Sequence, residues 1–115
     1  MISPGMHLLV DGLTRMSFTV DYLELFLRDA VGMVGMKVVM GPFVLGNRNT
    51  WDGWAVLEAS HAAIHVQGEQ CYVDLFSCQW FDVTIPLELM RHRLKLSTER
   101  FEVIERIKLG ACDDR

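Results

Sequence analysis

The chain has 115 residues, half of them hydrophobic, and a formal net charge of −4 without a cluster of basic residues. The length suits one domain spanning residues 1–115, and an acidic balance without a basic patch excludes nucleic-acid binding through phosphate contacts. Apolar runs are too short to cross a bilayer, so no membrane segment is expected. The mean hydropathy of +0.20 favours a subunit that covers part of its surface with a partner, so we expect an oligomer.

The cysteines and the N-terminus bear on location. Three cysteines at scattered spacing argue against a disulfide framework and favour a reducing compartment. Residues 1–6 lack a basic stretch ahead of an apolar segment, so no export signal is expected. The cytoplasm is therefore the expected location.

In chain order, the pattern predicts a strand over residues 6–10 and then a helix. Hydroxyl side chains before the helix provide capping groups, and Gly32 and Gly35 mark its end. Spacing near i, i+3, i+4 assigns its buried face to Tyr22, Leu25, Phe26, Ala30 and Met33. The apolar residues 36–44 predict a second strand.

The following segment, residues 46–53, has turn chemistry throughout and predicts a polar loop. Strands are predicted over residues 54–57, 62–66, 71–78 and 101–107, with Ser60 at the corner between the first two. A second helix is expected near Pro86, whose missing N–H costs nothing in a first turn. Asp82 or Thr84 is expected to cap this helix, and Leu87, Met90 and Leu94 to lie on its buried face.

The predicted order of elements is β-α-β-β-β-β-α-β, without an internal linker. This order indicates an α+β fold, a two-layer sandwich of an antiparallel sheet with two helices on one face.

The corner at Ser60 carries the most informative chemical pattern. A serine can attack the carbonyl of the preceding residue, here Ala59, and exchange the amide for an ester. Removal of the serine α-proton then eliminates the ester, and the resulting dehydroalanine hydrolyses to a pyruvoyl group. Backbone strain at the corner would favour the first step, and the imidazole of His65 is suited to acid or base catalysis.

His61 and His65 also raise the question of a metal site. On a helix, a spacing of four residues would bring two imidazoles to one zinc ion. On a strand the same residues are about 13 Å apart, and no carboxylate or thiol motif completes a ligand set. No metal site is therefore predicted.

Three motifs occur in order: Gly5-Met6-His7-Leu8, then Ala59-Ser60-His61 with His65, then Asp74 to Cys78. Together they resemble the short prokaryotic class of S-adenosylmethionine decarboxylases, which have G-x-H-L, E-S-H-x-x-x-H and D-x-[FY]-[TS]-C. The resemblance extends from about residue 5 to about residue 107. It implies the two-layer fold above, a subunit that pairs into a homodimer, and a small-molecule substrate.

The resemblance also implies roles for individual residues. Ser60 corresponds to the serine that becomes the pyruvoyl cofactor when the chain cleaves into residues 1–59 (the beta chain) and 60–115 (the alpha chain). His65 corresponds to the histidine needed for self-processing, and Cys78 to the cysteine that protonates the product. The pyruvoyl carbonyl would form a Schiff base with the substrate amine and accept electrons as CO₂ leaves. The implied activity is decarboxylation of S-adenosylmethionine for spermidine biosynthesis.

The sequence departs from the family pattern at several positions. Ala59 replaces the glutamate before the processed serine, although cleavage uses only its backbone carbonyl. Asp52 stands where the family has a second processing serine, so its carboxylate would act in processing or in substrate binding. Gly46 and Gln67 stand where aromatic rings stack on adenine, while Glu69 matches the acidic residue that contacts the ribose.

These departures leave two alternatives open. A pocket without stacking rings and with the carboxylate of Asp52 suits a basic amino acid, so decarboxylation of ornithine or arginine is the second hypothesis. The third is a non-processing homologue that keeps Ser60 intact and binds a ligand or an active partner subunit. Fragments divided at Ala59/Ser60 distinguish the two enzyme hypotheses from the third.

Overall fold

The computed structural model describes residues 5–106. Its elements are β1 (Met6–Leu13), α1 (Val20–Met33), β2 (Val38–Gly46), β3 (Thr50–Leu57), β4 (Ser60–Gln67), β5 (Gln70–Ser77), α2 (Thr84–Arg93) and β6 (Thr98–Glu105). The predicted order of strands and helices is confirmed. The expected end of the last strand at Ile107 lies outside the described residues.

The six strands form one sheet in the order β2-β3-β4-β5-β1-β6, and every neighbouring pair is antiparallel. Strands β2 to β5 follow one another as hairpins, while β1 lies between β5 and β6. The two helices and the sheet share a single hydrophobic core. The predicted α+β two-layer sandwich, with an antiparallel sheet and two helices, is confirmed.

The sheet has one covered and one uncovered face. Burial alternates residue by residue along β1, β3, β4 and β5, because successive side chains of a strand point to opposite faces. Among residues 5–106, no helix or strand covers the face opposite the helices. We call this surface the open face; it presents His7, Leu9, Asp11, Phe43, Leu45, Asp52, Trp54, Val56, His61, Ala63, His65, Tyr72, Asp74, Phe76 and Ile104.

Helix α1 begins at a side-chain cap, as its sequence predicts. Thr19 Oγ1 accepts a hydrogen bond of 3.1 Å from the backbone N–H of Tyr22, which satisfies one of the free amides of the first turn. The predicted buried face was partly wrong, since Leu25 and Met33 are exposed. The residues that are buried instead are Leu23, Phe26, Leu27, Ala30 and Val31. Apolar residues occur around most of this helix, so its spacing alone did not select the stripe that meets the sheet.

The predicted loop over residues 46–53 was also wrong in extent. Only residues 47–49 lie between strands, and the rest belong to β2 and β3. Gly53 faces α1, where an added Cβ would lie 3.1 Å from side-chain carbons of Leu27 and Ile64. Asp52 faces the open side, where a charged side chain stays hydrated. The turn-like composition therefore reflects a close helix–sheet contact and an uncovered face.

Helix α2 packs as predicted, with Leu87, Met90 and Leu94 buried. The carboxylate of Asp82 accepts a 3.0 Å hydrogen bond from the backbone N–H of Thr84 at the helix start. Thr14 Oγ1 donates a 2.6 Å hydrogen bond to the carbonyl of Leu94 at the other end. Within the part of the chain that the structure covers, no helix has the length and apolar character needed to traverse a bilayer.

Candidate active site

The Ala59–Ser60 peptide lies at a tight turn between β3 and β4. Leu57 pairs directly with Ser60, so the turn consists of Glu58 and Ala59 alone. Ala59 has φ of +55°, in the left-handed region where a non-glycine residue is strained by about 1–2 kcal/mol. The strain lies at Ala59, on the acyl side of the bond expected to break, and not at the serine itself.

Ser60 is the first residue of β4, and its side chain faces the helices. The side chain is almost buried, and Oγ accepts a 2.8 Å hydrogen bond from the backbone N–H of Cys78. Because the bond uses Oγ as the acceptor, the hydroxyl proton remains available for transfer. The Cys78 N–H thus points at the atom on which negative charge develops when a serine acts as a nucleophile.

Cys78 follows directly after β5 and reaches this corner because β4 and β5 are antiparallel. His61 pairs with Phe76, which puts the end of β5 beside the start of β4. The thiol donates a weak 3.8 Å hydrogen bond to the carbonyl oxygen of Glu58. The structure therefore brings together three of the predicted site residues, Ala59, Ser60 and Cys78.

A cavity of about 550 Å³ opens at the same corner. Its floor includes Ala59 and Cys78, and its far wall is the connection from α1 into β2. The remaining lining residues are Gly35, Met36, Lys37, Val38, Val39, Glu58 and Gln79. Sequence reasoning missed the wall formed by residues 35–39, because only helix packing brings this segment to the turn after β3.

His65 lies elsewhere in the same chain. Ser60 and His65 are five positions apart on β4, an odd spacing that puts their side chains on opposite faces of the sheet. Ser60 is buried against the helices, whereas His65 is exposed on the open face. The two residues are also separated by about 16 Å along the strand. Within one chain, the structure does not bring the predicted processing histidine to Ser60.

Asp52 and His65 form a pair on the open face. They are directly opposite each other on β3 and β4, and Asp52 Oδ1 lies 2.7 Å from His65 Nδ1. Each side chain is about half exposed, at 54% and 56% respectively. The two predicted processing residues are therefore in contact with each other but distant from the serine.

Glu69 lies at the far end of the sheet, in the turn between β4 and β5. Its carboxylate is 3.8 Å from Arg15 Nε, and both side chains are largely exposed. The structure does not bring this predicted substrate-binding residue near Ser60 in the same chain.

A cluster that sequence reasoning did not identify lies on the open face next to the serine end of β4. The rings of His7 and His61 are 5.8 Å apart, and the His61 ring stacks on Phe76 at 5.5 Å. Burial lowers the pKa of His7 below 6.5, an effect opposed by Asp74 and reinforced by His61 and Arg106. The cross-strand register that joins these residues has no local sequence signal.

The two described cysteines differ in environment. Cys71 is buried on the helix side, and burial raises the pKa of its thiol to about 12. Cys78 is partly exposed at the cavity, and neither residue forms a disulfide. Among residues 5–106, no group of three or more His, Cys, Asp or Glu side chains has the geometry of a metal site.

Comparison with known proteins gives a consistent result. The sequence profile of the family described as S-adenosylmethionine decarboxylase matches residues 7–107. The crystal structure of the adenosylmethionine decarboxylase from Aquifex aeolicus VF5 superimposes with a TM-score of 0.74 at 19% identity, covering 96% of this chain and 97% of that chain. At this identity the likeness concerns the fold alone. No functionally curated protein matches the chain.

Proposed function

The chain belongs to the S-adenosylmethionine decarboxylase family, and on that basis we propose that it is a self-processing, pyruvoyl-dependent decarboxylase. The observation that supports this most directly is the arrangement at one corner. A strained Ala59, a buried Ser60 hydroxyl held by a backbone N–H, and the thiol-bearing Cys78 adjoin a cavity of about 550 Å³. These are the groups needed to make and then use a pyruvoyl cofactor at residue 60.

The proposed cleavage begins when Ser60 loses its hydroxyl proton and Oγ attacks the carbonyl carbon of Ala59. The C–N bond breaks, the amide nitrogen takes up a proton, and an ester replaces the peptide. The Cys78 N–H stabilises the charge on Oγ, and release of strain at Ala59 favours the forward step. Loss of the Ser60 α-proton then expels the Ala59 carboxylate, and water replaces the serine nitrogen, which leaves as ammonia.

The products are residues 1–59 and residues 60–115, the second carrying the pyruvoyl group at its new N-terminus. That group supplies an electron sink for the carbanion left by loss of CO₂. The thiol of Cys78, partly exposed at the cavity, is the proposed donor that protonates the product. The wall formed by residues 35–39 holds the substrate against this corner.

Processing also needs a base, and the position of His65 favours a homodimer as the active form. The open face exposes large apolar side chains, among them Phe43, Leu45, Trp54 and Val56, and such a surface favours association. Suppose that two open faces stack about a two-fold axis that crosses β4 at Ala63. Then His65 of one copy lies opposite His61 of the other, beside the corner that holds Ser60. The second copy completes the site with a residue that its own serine does not reach.

S-adenosylmethionine is the proposed substrate, and spermidine biosynthesis the proposed pathway, in the cytoplasm. A second candidate is decarboxylation of ornithine or arginine, which the carboxylate of Asp52 favours, since it could bind a basic side chain. If Glu69 contributes to substrate binding, it does so from the far end of the sheet of the second copy.

Mass spectrometry of the purified protein tests the proposal. The expected result is two fragments, residues 1–59 and 60–115, the second lacking the amine of Ser60. The Ser60→Ala variant should remain intact. A single full-length mass in the parent protein after prolonged incubation would reject the enzyme and leave the non-processing homologue. CO₂ release from S-adenosylmethionine, ornithine and arginine, measured side by side, decides between the substrates.

A further inference from the structure

The contact between Asp52 and His65 constrains the imidazole. An ionised carboxylate only accepts hydrogen bonds, so the 2.7 Å contact between Asp52 Oδ1 and His65 Nδ1 requires a proton on Nδ1. In the neutral ring the other nitrogen, Nε2, then carries the free lone pair. The contact thus selects one of two tautomers, the one in which Nε2 is a proton acceptor.

The strands on both sides hold this pair in register. Asp52 is paired with Leu45 of β2, and His65 with Tyr72 of β5, so the four side chains form one row across the open face. The flanking leucine and tyrosine are apolar or aromatic neighbours that donate no competing hydrogen bond to the carboxylate in the described structure. The geometry is therefore that of a prearranged carboxylate–imidazole unit.

We propose that Asp52 is a positioning residue that acts through His65. It holds the imidazole with Nδ1 protonated, so that Nε2 accepts the proton of Ser60 during self-cleavage. This inference rests on the proposed function and refines it: Asp52 neither donates a proton itself nor binds the substrate. No electron transfer is involved, and the proton taken by Nε2 is returned to the amide nitrogen released from Ala59.

The tautomer can be measured without any cleavage. We would record the long-range ¹H–¹⁵N spectrum of the imidazoles in the Ser60→Ala variant, at a pH where His65 is neutral. A His65→Gln variant assigns the signal among the four histidines. The expected pattern has the proton on Nδ1 of His65, and Asp52→Ala should transfer much of it to Nε2. A proton found on Nε2 while Asp52 is intact would overturn the proposal, whether or not the parent protein cleaves.

Kinetics of self-cleavage provide the second measurement. Asp52→Asn and Asp52→Ala should slow the appearance of the two fragments by about 100-fold, the range expected when a general base is lost or misaligned. Asp11→Asn is the matched control, because Asp11 is another open-face carboxylate, paired with Arg100 at 3.2 Å and not with a histidine. Cleavage of the Asp52 variants at the rate of the control would contradict the proposal.

Turnover separates this role from substrate binding. In molecules of the Asp52 variants that have completed cleavage, the KM for the substrate should equal that of the parent protein. A KM raised about tenfold or more, with cleavage unaffected, would mean that Asp52 is a substrate ligand and would overturn the positioning role. If the parent protein never cleaves, the proposed function fails, but the spectrum of His65 still decides the tautomer.

Discussion

Ser60 and Cys78, 18 residues apart in sequence, meet through a 2.8 Å hydrogen bond in which the Cys78 N–H donates to Ser60 Oγ. The donor is a backbone group, so the side chain and the main chain of Cys78 have separable roles. The thiol is free to protonate the product, while the amide acts during cleavage.

Cys78→Pro removes the amide proton, and Cys78→Ala keeps it. We expect the proline variant to cleave about 10- to 100-fold more slowly, since a hydrogen bond to a charged group contributes about 1.5–3 kcal/mol. The alanine variant should cleave but turn over substrate poorly. Mass spectrometry follows cleavage, and a thermal melt establishes that both variants fold. Equal cleavage in the two variants would show that the amide does not assist Ser60.

Ala59→Gly should relieve the strain at the turn. Measured in the Ser60→Ala background, the substitution is expected to raise the free energy of unfolding by about 1 kcal/mol. With Ser60 intact, cleavage should slow about fivefold, because the peptide no longer stores that energy. Denaturant titration and fragment analysis provide the two values.

Gly68 offers the opposite control in the neighbouring turn. Its φ is +60°, and an added Cβ would meet nothing within 4 Å. Gly68→Ala should therefore destabilise by about 1 kcal/mol through backbone conformation alone. If Ala59→Gly were destabilising instead, strain could not be part of the cleavage mechanism.

His7 should make the protein less stable in mild acid. Burial lowers its pKa in the folded chain below 6.5, so as the pH falls through that value the unfolded chain takes up the proton first. The free energy of unfolding should therefore decrease between about pH 7.5 and about pH 5.5, and His7→Gln should reduce that decrease. Denaturant titrations in the Ser60→Ala background measure it.

The groups facing His7 are Asp74, which raises its pKa, and His61 and Arg106, which lower it. His92→Gln is the matched control, because His92 is exposed on α2. A His7→Gln variant with the acid sensitivity of the parent protein would assign that sensitivity to other groups.

Thiol labelling should distinguish Cys71 from Cys78. Burial raises the pKa of Cys71 to about 12, so at neutral pH it has almost no reactive thiolate. In a Cys112→Ser background, iodoacetamide should label Cys78 in the folded protein and Cys71 only after denaturation. Peptide mapping identifies the labelled residue, and equal labelling of both in the folded state would contradict the packing described here.

Mixing variants tests whether one copy supplies the base for another. Ser60→Ala keeps His65, and His65→Ala keeps Ser60, so neither protein should cleave alone. After mixing and equilibration, the His65→Ala chains should be cut at Ala59/Ser60. The control replaces the first protein with the double variant Ser60→Ala/His65→Ala, which should not rescue cleavage. Absence of rescue in the first mixture would place the base within a single chain.

Local patterns predicted the fold well where they were regular. The alternation in β1 and β5 and the buried residues of α2 followed from the sequence. Prediction failed at α1, where Leu25 and Leu27 are both apolar and only the packed sheet selects one of them. It failed at residues 50–53, where glycine and aspartate resembled a loop but belong to a strand with one face against a helix and one uncovered.

The sequence alone determined the family resemblance, the order of elements and, through the odd spacing on β4, the opposite orientations of Ser60 and His65. Tertiary structure alone decided which groups surround the serine: the Cys78 amide, the wall of residues 35–39 and the pairing of Asp52 with His65. The physical reason is range. Periodicity, caps and turns depend on neighbours within a few residues, whereas strand register and helix packing depend on contacts between distant segments, which no local pattern encodes.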